Sequence, residues 1–245
     1  MPAPDWPLIT RLGEAQILLP LMGVLLLRLM LHAPSRALAW RWLGGTTLAA
    51  LLTTASKVAF LGFGLGLASV DFTGFSGHSM FSAAVLPWLI ALLRVPASRP
   101  LRAVHLLPGL LLAALIAVSR VEVGAHSWSE VITGHLLGLA VSAWVLPRRL
   151  VPLPQPGRAW LAPLLLGALL WLPLQAPPTR THDLVIRLSL WVSGHERPHE
   201  RTLPRPTDMR PEPAAGPCPC QQEGRLAPAH RAERESPLPH STASS

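Results

Sequence analysis

Ser119-Arg120, His126 and Glu130 place four reactive side chains beside apolar runs of membrane-like composition, and Phe75-Ser76-Gly77-His78 sits about forty residues upstream in a similar setting. Ionisable groups at the edge of a bilayer are costly unless paired or used, so their presence points to function. Two imidazoles, a guanidinium and a carboxylate are the parts of phosphoryl chemistry. His126 and Glu130 are four apart, and a helix beginning near Ala125 would set them on one face, where the carboxylate can hold one ring nitrogen. The far nitrogen is then a nucleophile for phosphorus, forming a phosphohistidine that water hydrolyses. His78 is the complementary group, an acid for the leaving oxygen and afterwards a base for the water.

Phosphate charge needs neutralising. Arg120 offers planar bidentate donors and Lys57 a compact ammonium. Ser76 and Gly77 precede an apolar run, so their amides are expected to face an anion from a helix N-terminus. Asp71, Glu122 and Glu130 are too few to hold magnesium or calcium once Glu130 is assigned to His126, so the expected chemistry uses neither a metal nor another cofactor. The phosphate ligands expected from these residues are Lys57, Ser76, Gly77 and Arg120; the catalytic residues are His126, His78 and Glu130.

Apolar runs at 15–31, 43–65, 79–93, 103–118, 131–146 and 159–176 supply the elements that must carry these groups. A span needs ~20 apolar residues, so the shorter runs would borrow a turn from the motif loops. The expectation is an all-α integral membrane bundle of about six transmembrane helices, occupying 1–194 with a motif core at 57–146. The first run has no basic leader or cleavage site and reads as a retained helix. With 50% hydrophobic and 14% charged residues the bilayer is the expected surrounding. The net charge of +8 is scattered between apolar runs and near the C-terminus, which argues against a nucleic-acid face.

Arginines gather in alternate connections: Arg36 and Arg41, then Arg94, Arg99 and Arg102, then Arg148, Arg149 and Arg158. Those loops are expected in the cytoplasm, and the two motif loops together on the opposite face. Residues 184–192 suit either a short interfacial helix or a loop. From His195 onward Pro, Arg, Glu, Ser and Ala dominate, and 195–245 is expected to be a disordered tail.

The second and third motifs resemble those of the membrane-bound type 2 phosphatidic acid phosphatase and haloperoxidase superfamily. Its Ser-Arg, five residues, His, three residues, Asp pattern is similar to Ser119-Arg120 through His126 to Glu130, continued by Gly134 and Leu137-Gly138; its Pro-Ser-Gly-His is similar to Phe75-Ser76-Gly77-His78. The resemblance, which covers about 57–146, implies His126 as nucleophile, Glu130 as its orienting carboxylate, His78 as acid and base, and Ser76, Gly77, Ser119 and Arg120 as phosphate ligands. Three departures stand out. Glu130 replaces Asp and Phe75 replaces Pro, while Gly64-Leu65 stands where the first motif, opened here by Lys57, would carry Arg-Pro. The resemblance implies a lipid phosphate substrate, in a bacterial cell membrane with the site facing the periplasm. The rival expectation is a catalytically degenerate membrane protein that binds phospholipid headgroups or scaffolds partners.

Overall fold

A computed structural model describes residues 4–94, 102–146, 158–175 and 181–201. The described residues are all-helical apart from turns and one isolated bridge between Leu67 and Phe72. Among the described residues eight α-helices follow one another: α1 Trp6–Arg11, α2 Ala15–Leu31, α3 Arg36–Phe63, α4 Gly77–Arg94, α5 Leu107–Glu122, α6 Trp128–Val145, α7 Arg158–Gln175 and α8 Thr181–Ser193. Each apolar run of the sequence becomes one of the long helices α2 to α7. Among the described residues three segments, 33–63, 77–94 and 103–122, are long and apolar enough to cross a membrane, with shorter apolar helices at 15–31 and 163–175. Glu130 and His135 lower the apolarity of α6. The region read as helix or loop at 184–192 is helical, within α8.

The centre of the bundle is α4, twelve of whose residues are buried. Two neighbours approach it through glycine. On α6, a Cβ at Gly134 would lie 2.6 Å from Ser76 O, and one at Gly138 would lie 2.3 Å from Met80 O. On α5, a Cβ at Gly109 would lie 2.4 Å from Pro87 Cα. Small residues at such crossings let backbones touch where lipid supplies no hydrophobic drive between helices.

Pro87 adds a requirement of its own. Lacking an N–H, it cannot donate to the carbonyl of Ala83 one turn earlier. That carbonyl is answered from α6, where Ser142 Oγ donates to Ala83 O at 2.6 Å. From α3, Trp42 Nε1 donates to Ala84 O at 3.0 Å, and its ring lies 6.5 Å from that of Trp88. Polar groups so far from water must find partners inside the protein.

All described residues belong to one compact unit, Met1–Leu203. Residues 195–201, grouped with the tail on composition, lie in that unit and are tied to the end of α3: His195 Nδ1 bonds Gly62 O at 2.8 Å and His199 N donates to Leu61 O at 2.9 Å. The remainder of the expected tail, 202–245, lies outside the described residues, as do Arg99, Arg148 and Arg149.

The proline account predicts a coupled pair of substitutions. Ser142→Ala alone is expected to cost about 1–3 kcal/mol by stranding the Ala83 carbonyl, and to cost much less beside Pro87→Ala, which restores the missing donor. Unfolding of the four proteins in detergent measures the coupling. Equal losses in both backgrounds would refute it.

Candidate active site

Four helix ends meet on one side of the bundle: the C-termini of α3 and α5 and the N-termini of α4 and α6. Residues 64–76 join α3 to α4 and residues 123–127 join α5 to α6. The second connection is a tight reversal. Gly124 takes φ +66, and the carbonyl of Arg120 accepts from the amides of both Ala125 (3.1 Å) and His126 (3.3 Å). A positive φ is easy only for glycine, and it folds the chain back so that His126 returns to Arg120.

His126 is therefore not on a helix, contrary to the helical face expected from its spacing to Glu130. The helix starts later: Ser127 is the N-cap of α6, its Oγ accepts from the Glu130 amide at 3.4 Å, and the Glu130 carboxylate accepts from the Ser127 amide at 3.3 Å. This reciprocal box needs a Ser or Thr followed three residues later by Glu or Gln. It also aims the carboxylate at the preceding residue. His126 Nδ1 lies 2.7 Å from Glu130 Oε2. Since an ionised carboxylate only accepts, Nδ1 carries the proton and the lone pair belongs to Nε2.

Glu130 is fully buried. Its Oε1 accepts from the Thr73 amide at 2.9 Å and from the Thr73 hydroxyl, while Oε2 is shared by His126, the Ser127 amide and Arg201 Nη2 at 2.7 Å. A buried carboxylate with so many donors is held ionised and in one orientation. Burial lowers the pKa of His126 from its ordinary value; its bond to Glu130 opposes this, and the charges of Lys57 and Arg120 reinforce it. The imidazole is thus kept neutral near pH 7, the state in which Nε2 can attack.

The other expected residues divide. His78 lies in the first turn of α4, within electrostatic reach of Arg120, His126 and Lys57. Lys57 lies on α3 under Gly74, where a Cβ would come within 3.1 Å of its Cγ. Arg120 Nη1 donates to Thr10 Oγ1 of α1 at 3.0 Å, and its buried Nε has no hydrogen-bond partner. A guanidinium left with an open buried donor suits an incoming anion. Gly77 opens α4. The first bond of that helix runs from Met80 N to Ser76 O at 3.0 Å, so the amides of Gly77, His78 and Ser79 lie outside its ladder and can face an anion.

Ser76 and Ser119 are used differently from the sequence expectation. The Ser76 amide donates to the Glu130 carbonyl at 3.0 Å, and its buried hydroxyl accepts from Ser79 Oγ at 3.1 Å. Its amide therefore joins the two motif loops instead of facing an anion. Ser119 is fully buried, and its hydroxyl donates back to Ile116 O at 2.6 Å. Both serines hold backbone in place.

Two participants carried no local signal. Thr73 lies between Asp71, whose φ of +49 turns the chain, and Gly74, at φ +143. The Asp71 carbonyl accepts from Ser127 Oγ at 2.6 Å, which ties this turn to the cap of α6 and brings Thr73 onto Glu130. Arg201 arrives from beyond α8. Among the described residues, no three His, Cys, Asp or Glu side chains are grouped to hold a metal ion.

Residues 22–150 match the PAP2 superfamily, just over half of the 245-residue chain. The chain belongs to this superfamily. The PAP2 match covers every expected catalytic and phosphate-binding residue and stops short of α7, α8 and Arg201. The chain is also similar to an uncharacterized 22.5 kDa protein in the cps region of Klebsiella pneumoniae, 45% identical over 142 residues that make up 58% of this chain and 68% of the relative. No solved structure matches it. PAP2 membership and the apolar helices support a membrane protein with a phosphatase-type function.

The grip of Thr73 on the carboxylate is open to direct measurement. Thr73→Val removes the hydroxyl donor and is expected to cost about 1.5–3 kcal/mol, the usual worth of a hydrogen bond to a charged group. Thr73→Ser should retain most of it. Denaturation of the two variants in detergent decides; equal stability would mean that the hydroxyl holds nothing.

Proposed function

We propose that this PAP2 protein is an integral membrane phosphatase that hydrolyses a phosphomonoester or pyrophosphate on a lipid, through a phosphohistidine at His126. The observation that carries the reading is the 2.7 Å bond from His126 Nδ1 to buried Glu130, with Lys57, His78 and Arg120 around the same ring. In the first step Nε2 bonds phosphorus while the phosphorus–oxygen bond to the lipid breaks, and His78 protonates the departing oxygen. In the second, His78 takes a proton from water, the hydroxide attacks phosphorus, and the phosphorus–nitrogen bond breaks to free phosphate and restore the imidazole. Glu130 stabilises the imidazolium character that His126 acquires.

Lys57, Arg120 and the first amides of α4 lie where the charge of a phosphoryl group would need an answer. They take the part that a divalent ion plays elsewhere, so the proposed cycle has no metal and no cofactor. A lipid substrate is supported by the rim. Phe63, Leu65, Leu67, Val70 and Trp128 are exposed around the motif loops, a surface that suits the membrane interface and lets a headgroup reach the site while its chains stay in lipid. Arg36, Arg41, Arg94 and Arg102 lie at the opposite helix ends, which supports a periplasm-facing site in a bacterial inner membrane.

The test is a panel of phosphatidic acid, phosphatidylglycerol phosphate and undecaprenyl pyrophosphate, offered to purified full-length protein. At least one should be turned over. His126→Ala should abolish turnover and the trapping of an acid-labile, alkali-stable phosphohistidine at that position, and His78→Ala should lower kcat by about 10²–10⁴-fold. Activity persisting in His126→Ala would sink the mechanism. No turnover on any of the three would favour a headgroup-binding protein that has lost catalysis.

A pH profile adds a separate check. His126 must be neutral to attack, and its pKa is lowered from 6.5. The acid limb of kcat/KM assigned to this residue should fall below pH 6.5; a limb at or above the ordinary histidine value would contradict the buried, cation-flanked setting.

A further inference from the structure

We infer that Arg201, in the segment that follows α8, is a positioning residue of the site: it clamps the Glu130 carboxylate that orients His126. The catalytic part of this inference rests on the phosphatase reading; the clamp itself does not. Arg201 Nη2 donates to Glu130 Oε2 at 2.7 Å and to Thr73 Oγ1 at 3.3 Å, and Nη1 lies 3.1 Å from Asp71 Oδ2. One guanidinium thus spans the turn that presents Thr73 and the carboxylate that Thr73 holds. Its planar fork suits two acceptors on different strands of chain better than an ammonium would.

The segment reaches this place because the end of α3 needs it. Gly64 closes that helix at φ +68, with Gly64 N on Phe60 O at 2.8 Å and Leu65 N on Ala59 O at 3.1 Å. The next two carbonyls, Leu61 and Gly62, accept from His199 and His195. A helix leaves its last carbonyls without donors, so this cap answers a standing demand. A Cβ on Gly64 would meet the His199 ring at 3.0 Å, and one on Gly62 would meet Ser189 O of α8 at 3.2 Å. Both glycines leave room for the approach.

Arg201 and His126 share one oxygen, so the guanidinium acts on the ring through it. It draws on the same carboxylate charge that would otherwise favour the imidazolium, and it repels that cation directly. Among the described residues, the other charged or titratable groups that act on His126 are Glu130 on α6, Lys57 on α3, His78 on α4 and Arg120 on α5. Among them only Glu130 favours the protonated ring. Weakening its effect keeps His126 neutral to lower pH, and removing Arg201 should therefore raise the titration midpoint of His126.

Histidine-¹⁵N spectra of the full-length protein in detergent read that midpoint whether or not the protein turns over, with His126→Gln identifying the signal. Arg201→Ala is expected to raise it by about one unit, the scale of a charge a few ångströms away in partly buried surroundings. The exposed control Arg197→Ala should leave it in place. In the phosphatase assay, Arg201→Ala should lower kcat about tenfold with little change in KM, and millimolar guanidinium should restore part of the loss. Arg201→Lys should fall between.

An unmoved midpoint in Arg201→Ala overturns the clamp, even if the protein is an active phosphatase. A rise in kcat overturns it too, making the segment a restraint on the site. So does a loss that guanidinium does not restore in a protein with lowered stability, which would make the residue purely structural. A raised midpoint in a protein that hydrolyses no substrate keeps the clamp and sinks the phosphatase reading instead.

Discussion

The Glu130 carboxylate is the constraint on which the site depends. An ionised group taken wholly out of water costs several kcal/mol unless its lone pairs are filled. Here they are filled from three parts of the chain: the turn at Thr73, the adjacent His126 and Ser127 at the start of α6, and the segment after α8. Each donor is fixed because the carboxylate needs it, and the imidazole is fixed as one of those donors. The placement of His126 and the stability of the loops therefore rest on the same interaction. A change that frees Glu130 loosens the turn, the helix start and His126 together.

This carboxylate could not reach its partners without α4. The N-terminal end of that helix carries His78, and its preceding residue, Ser76, passes its amide to the Glu130 carbonyl. Gly134 and Gly138 bring α6 into backbone contact with Ser76 and Met80. Further down, Ser142 answers the carbonyl that Pro87 leaves open. The three positions lie four residues apart on α6, one face of a helix at one contact per turn. Register along this face sets the height of Glu130 relative to His78. A slip by one residue would turn the glycines away and drive side chains into α4.

Much of the architecture was legible because helices in apolar surroundings must carry long apolar runs. The run at 15–31 coincides with α2, and the others differ from their helices mainly at the ends. The largest difference is α3, which begins at Arg36 and not near Leu43. Its first turns carry Arg36, Trp40 and Arg41, polar or interfacial residues that a search for apolar runs passes over. Lys57, His78, Arg120, His126 and Glu130 were brought together as their types suggested. The role of Ser127 was also in the sequence, since Ser127 and Glu130 have the spacing of a capping box. Reading His126 and Glu130 as a helical pair hid it. Thr73 and Arg201 left no such trace. Their contacts cross 57 and 71 residues of sequence and exist only after α3, α6 and α8 have packed.

The departure of Glu130 from aspartate takes on a different meaning in this arrangement. Read from the sequence, Glu130 is a departure from the superfamily pattern by one methylene. In the structure the histidine stands before the helix, not on it, and the carboxylate must reach back along the first turn to meet it. Glutamate at the third helical position can span that distance and still bond the N-cap amide. The longer side chain also leaves Oε2 open on the side of Asp71, where Arg201 enters. Substituted residue, early cap and C-terminal guanidinium fit one another. The geometry at His126 is then a property of the whole set, in which the length of one side chain matters only through the position of its partners.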